Sequence, residues 1–109
     1  MKIIDIENYL NAKLPKSYID FMLKTNGGNF NDIHIYNSEE LIERNECYET
    51  QEYAAGWFTV GDDGGGMAFM MSLDENSRQV YKVDHGSMDP NDFELVTSNF
   101  NTWIASDFK

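Results

Sequence analysis

The sequence predicts an α+β fold, a mostly antiparallel sheet of about four to five strands covered by N-terminal and C-terminal helices. Two observations predict it. Apolar residues recur at helical spacing near both ends of the chain, and between them lie short runs that read as strands in a meander. At 109 residues the chain is expected to form one domain over residues 1–109, large enough to bury roughly two-thirds of its unfolded surface.

Taken in order, Asp5 is placed to cap a short helix running to about Ala12, with Ile6, Tyr9 and Leu10 on one side. Leu14 precedes a proline and is expected to be extended. Pro15 suits the first turn of a second helix over residues 15–25, whose stripe of Tyr18, Phe21 and Met22 is widened by Ile19 and Leu23. Lys24 sits at the negative end of that helix dipole, and Asn26-Gly27-Gly28 stops it with a left-handed cap. Ile33 and Ile35 alternate with His34 and Tyr36, so residues 32–36 read as a strand. Asn37 or Ser38 caps a third helix, with Glu39 and Glu40 in its first turn and Leu41 and Ile42 on its buried side.

Residues 57–60 form a strand that leads into Gly61-Asp62-Asp63-Gly64-Gly65-Gly66, the stretch around which the chain is organised. Glycines at 64–66 let the backbone kink as it enters the next strand. There Met67, Phe69, Met71 and Leu73 point one way, while Ala68, Met70 and Ser72 point the other, as in a central strand covered on both faces. A polar turn over residues 74–78 returns the chain to a strand at 79–83, whose buried face the pattern leaves open. Residues 84–92 read as a loop and 93–96 as a short edge strand. Thr97 or Ser98 caps a last helix that turns Phe100, Trp103 and Ile104 inward.

With 14% aromatic residues the chain has the core material of a folded protein. Cys47 is the one cysteine, so neither an intramolecular disulfide nor a cysteine-based metal cluster can form. No signal-peptide pattern or membrane-length apolar run is present, and a cytoplasmic location is expected. The formal charge of −11 is unevenly distributed. Residues 1–38 and 95–109 each sum to zero, whereas residues 39–94 set fourteen acids against Arg44, Arg78 and Lys82. A field of one sign disfavours nucleic acid, serves solubility, and speeds the approach of a basic partner.

Catalytic and metal chemistry find little support. The glycine run lacks Gly-Lys-Ser/Thr and opens a strand rather than a helix, and Asp62 and Asp63 repel phosphate. Cys47 lies among carboxylates that blunt a thiolate and is expected to be a packing residue. Ser87 follows Gly86 without the Gly-x-Ser-x-Gly elbow. His85 and Asp84, a base and its orienter by residue type, fall in a polar loop, and His34 and His85 have no HExxH spacing. The run from Asp74 puts Arg78 and His85 where an EF-hand needs oxygen ligands. Paired carboxylates for glycoside hydrolysis are defined by separation in space, which sequence does not give. No catalytic residue, metal site or cofactor is assigned, and the chain is expected not to be an enzyme.

Leu14-Pro15, Ser17-Tyr18, Phe21 and Asn26-Gly27-Gly28 resemble the N-terminal signature of the SUKH superfamily, the Smi/Knr-type domain. The strand ending in the glycine-aspartate cluster, the apolar strand after it, Val80, and Phe100-x-x-Trp103-Ile104 fall where that family has its later elements, so the likeness extends from about residue 5 to residue 106. The resemblance implies an α+β fold and a non-enzymatic binding role. Bacterial YobK-like members are typically cytoplasmic immunity proteins that neutralise toxin domains, often nucleases, exchanged between competing cells, while fungal relatives regulate cell-wall synthesis and signalling.

Two functions follow as expectations. In the first, the chain inhibits a cognate protein toxin with a basic surface, binding neither nucleic acid nor membrane. Its carboxylate contacts are then Glu39, Glu43, Glu46, Glu49 and Glu52, together with Asp62 and Asp63. Tyr48, Tyr53 and Trp57 are the candidate aromatic anchors, residue types favoured at binding hot spots. In the second, the chain is a regulatory scaffold or small-ligand module in which Met70, Met71 and Trp57 line a pocket on the sheet.

Overall fold

A computed structural model describes residues 3–30, 33–74 and 76–106. The described chain runs α1 (Ile3–Leu10), α2 (Lys16–Thr25), β1 (Gly28–Phe30), β2 (Ile33–Ile35), α3 (Ser38–Cys47), α4 (Thr50–Tyr53), β3 (Trp57–Asp62), β4 (Met67–Ser72), β5 (Val80–Asp84), β6 (Glu94–Thr97) and α5 (Phe100–Ala105), with a 3-10 turn at Pro90–Asp92. The six strands lie in chain order in one sheet, each antiparallel to the next. The expected α+β class holds, with a sheet one strand larger than the upper expectation.

The alternation in β4 has the predicted consequence. Phe69 and Met71 enter the larger core with Phe58 and Val60 of β3, against Ile6 and Leu10 of α1, Tyr18, Phe21 and Met22 of α2, and Phe100 and Trp103 of α5. Ala68 and Met70 enter a smaller core on the other face with Ala54, Val83 and Met88. Tyr18 stands edge-on to Phe58 at 5.1 Å between ring centres, and Phe21 edge-on to Phe100 at 5.6 Å. Each large apolar side chain so buried contributes roughly 1.5–3 kcal/mol.

Several boundaries differ from expectation for local reasons. α1 starts at Ile3, so Asp5 lies in its first turn rather than capping it, and Tyr9 stays 38% exposed. Pro15 precedes α2 instead of opening it, and Leu23 is exposed because Tyr18, Phe21 and Met22 already fill the buried stripe. Asn26 supplies the left-handed cap at φ 53°. Asn37 caps α3 through a reciprocal box: its side chain accepts from the Glu40 amide at 2.8 Å, and Glu40 accepts from the Asn37 amide at 3.1 Å. Asn99, not Thr97 or Ser98, caps α5. Asp32, expected in the strand before Tyr36, lies outside the described residues, as does Glu75 of the polar turn.

The join between β2 and β3 positions everything that follows. β2 pairs with β3 at His34↔Asp62 and Ile35↔Gly61, the Tyr36 N–H donates to the Val60 carbonyl at 3.0 Å, and a bulge lies between Thr59 and Gly61. A Cβ on Gly61 would stand 2.2 Å from the His34 carbonyl oxygen, so only glycine lets the two backbones approach. Beyond the reach of β2, side chains from α3 and α4 close the edge of β3. The Asn45 amide donates to the Thr59 carbonyl at 3.0 Å and accepts from the Thr59 N–H at 2.8 Å, and Gln51 donates to the Trp57 carbonyl at 3.2 Å. An open strand edge is thereby sealed without another strand. No helix among the described residues is long and apolar enough to cross a membrane.

Candidate functional site

The glutamates between residues 39 and 52 sit on α3, on α4 and at the turn joining them, the elements anchored to that sealed edge. Leu41 and Asn45 are buried, which turns Glu39, Glu43 and Glu46 outward at steps of four and three. Spacing alone extends this face to Glu49. In the structure α3 ends at Cys47, and Glu49 takes a left-handed conformation (φ 53°, ψ 40°) that swings the chain into α4 with Glu52 and Tyr53. Glu39, Glu43, Glu46, Glu49 and Glu52 are all exposed. Among the described residues none of the five forms an ion pair; His34–Glu40 and Lys82–Glu94 are paired instead. A hydrogen bond from Glu52 and the proximity of its charge hold the Glu49 carboxyl above its ordinary pKa. The ridge therefore carries negative charge that Arg44, close to Glu43, offsets only in part.

Asp62 and Asp63 are engaged differently. Asp62 accepts the Tyr36 hydroxyl at 2.6 Å and the Gly64 amide at 3.0 Å. Asp63 accepts the Gly65 amide at 2.8 Å and the Met67 amide at 3.1 Å. The Gly65 amide first, then those of Met67 and Asp63 itself and the nearby His85, outweigh burial and hold the Asp63 carboxyl below its usual pKa. Both aspartates thus build the turn in which Gly64 and Gly66 have φ of 74° and 104°.

The turn and the ridge meet through side chains that sequence spacing does not pair. Tyr48, one residue past α3, stacks on His85 of the β5–β6 loop with ring centres 4.5 Å apart. His34 bonds Glu40 at 2.9 Å and Asn29 at 2.8 Å. Burial would raise the Glu40 carboxyl, but its bond from the Asn37 amide and the His34 contact hold it below the usual value. The Arg44 guanidinium is held above its ordinary value, chiefly by Tyr48 and then by Tyr36, Glu43 and Asp62 around it. A cavity of about 260 Å³ lies beside the ridge, lined by Tyr48, Tyr53, His85, Gly86, Ser87 and Met88.

The three aromatic candidates are presented unequally. Tyr53 is 58% exposed. Tyr48 is half-buried against His85, and Trp57 is half-buried with Phe93 and Tyr81 edge-on to it at 4.9 and 5.3 Å. Two expectations are corrected. Cys47 does not pack inside: it is exposed, because it falls on the outer side of α3 with Glu43. Met70 and Met71 cannot line one pocket with Trp57, since both are fully buried in cores on opposite faces of the sheet. Among the described residues no group of three or more His, Cys, Asp and Glu side chains is arranged to hold a metal ion.

No curated protein matches this chain. The profile described as the SMI1 / KNR4 family (SUKH-1) matches residues 2–106, nearly the whole sequence, and the chain belongs to that family.

Proposed function

We propose that this chain is a cytoplasmic immunity protein that binds a toxin domain, a nuclease by preference, and neutralises it by covering its basic cleft with the acidic ridge of α3 and α4. The family is associated with immunity proteins and its domains are generally not enzymes. The observation that carries the reading is five exposed glutamates, four on two consecutive helices and Glu49 at the turn between them, none ion-paired among the described residues. A nuclease cleft is lined with cations that neutralise phosphates, and carboxylates on a fixed surface can occupy the same cations. Tyr53 supplies an exposed aromatic contact at the end of the ridge, and the cavity beside Tyr48 and His85 accepts a side chain from the partner. Asp62 and Asp63 act at its margin, shaping the turn that borders the ridge.

The test is co-expression with the product of the adjoining gene. Growth rescue by the wild-type chain, lost when Glu39, Glu43 and Glu46 are changed to lysine, supports the reading. Rescue that survives those three reversals in a folded variant rules out the ridge as the contact, and an association rate insensitive to salt rules out charge as its driver.

A further inference from the structure

The helices leave part of the larger core's side of the sheet uncovered. Ile33 of β2 and Val96 of β6 pack against that core yet stay half-buried, as does Met67 at the start of β4. Leu95, beside Val96, is 54% exposed. These four border a cavity of about 370 Å³, with Phe69 and Trp103, whose rings lie 5.4 Å apart, completing its apolar lining. Small-molecule sites begin at about this size and combine a mostly apolar wall with a few placed polar groups. Here two charged side chains join the lining, Asp63 and Lys82. Lys82 pairs across the ladder with Phe69 and so stands on the same face of the sheet. The two charges are held differently. The Lys82 ammonium lies 3.9 Å from Glu94. Asp63 uses Oδ1 for both the Gly65 and Met67 amides, which fixes the carboxylate in place, and its Oδ2 accepts no hydrogen bond among the described residues.

We infer that this cavity binds a small amphipathic amine, its aryl or branched alkyl group against Met67, Phe69 and Val96 and its ammonium against the Asp63 carboxylate. Removal of apolar surface from water supplies the larger part of the affinity. A charge-assisted bond from the ammonium to Oδ2 selects the amine over uncharged or acidic molecules of the same shape. Lys82, already beside Glu94, does not present an uncompensated positive charge to the ligand. The site goes beyond the proposed inhibition and shares with that contact surface only Asp63, at its margin.

The experiment is an NMR titration of the full chain with three probes of one shape, phenethylamine, phenethyl alcohol and hydrocinnamate, at neutral pH and constant ionic strength. The amine should bind saturably, on the order of tenfold tighter than the alcohol, as for one charge-assisted hydrogen bond, and the acid should bind more weakly than either. Intermolecular NOEs should run from the ring protons of the amine to the side chains of Met67, Phe69 and Val96. Asp63→Asn keeps an oxygen for the Gly65 and Met67 amides but loses the charge, so it should bind the amine no better than the alcohol. Shifts that do not saturate overturn the inference, as do NOEs confined to the cavity of Tyr48 and Tyr53. An acid bound as tightly as the amine overturns it too, and so does an amine preference that survives in folded Asp63→Asn. The order of the three probes is read on the wild-type chain and decides the outcome even where Asp63→Asn does not fold.

Discussion

The side chain of Asn45 and the backbone of Thr59 form a two-way clasp: one amide group donates at 3.0 Å and accepts at 2.8 Å across the gap between α3 and the edge of β3. Both residues are fully buried, and the same Asn45 nitrogen also donates to the Leu41 carbonyl at 2.7 Å. Asn45→Ala strands the Thr59 N–H and carbonyl away from water. The expected loss is about 2–4 kcal/mol, read from the midpoint of urea unfolding. A loss below about 1 kcal/mol shows that water replaces the clasp.

Gly61 is expected to tolerate no side chain. A methyl group there would collide with the backbone of His34, which cannot rotate away. Gly61→Ala should destabilise the protein by about 2 kcal/mol or more, and amide exchange should quicken first at Ile35 and Tyr36. Unchanged exchange in those residues shows that β2 shifts at no cost.

Glu49 costs the fold stability in two ways. Its left-handed backbone is unfavourable for a residue with a side chain by about 1 kcal/mol, and its carboxyl lies against that of Glu52. Relief of the backbone in Glu49→Gly should stabilise the chain by about 0.5–1 kcal/mol in thermal unfolding, while capture of a basic partner weakens. If binding is unaffected, Glu49 is a surface charge with no contact role.

The pH dependence follows from Asp63. Its folded-state pKa, depressed first by the Gly65 amide, lies below the unfolded value of about 3.9. The carboxylate therefore contributes stability that is fully present above that pH and is lost as pH falls through the folded-state value. Unfolding midpoints below pH ~4 should decline more steeply for the wild type than for Asp63→Asn. Parallel profiles place the acid sensitivity elsewhere.

Glu43→Lys combined with Glu46→Lys should change stability by no more than about 0.5 kcal/mol, since both side chains are exposed. In stopped-flow mixing with the captured partner, the same pair should slow association and flatten its salt dependence. Slower association with unfolding at lower urea would instead indicate damage to α3.

The elements legible in the sequence were those with long patterns. The alternation of β4 and the Tyr18, Phe21, Met22 stripe of α2 each span several residues and sort themselves onto the faces predicted. β1 was missed because Gly28-Asn29-Phe30 is three residues with no alternation, and it is a strand only through pairing with β2. α4 was missed for a like reason: Thr50–Tyr53 is a single turn, held by the backbone and by Thr50 against Thr59 at 3.1 Å. Charge clustering was legible, but the break in it at Glu49 was not, since no propensity favours a left-handed glutamate. The links from Tyr36 to Asp62 and from Tyr48 to His85 join residues 26 and 37 positions apart, and no local spacing signals them.

The clasp at the edge of β3 also bears on how readily the acidic ridge engages another molecule. A helix pinned through its inner face by a buried amide cannot rock or slide, so the rotational freedom that docking normally removes from such a segment was already lost when the chain folded. The glutamates wave as side chains, but the platform beneath them arrives pre-set, its tilt held by Asn45 and Leu41 under α3 and by Thr50 and Gln51 at α4.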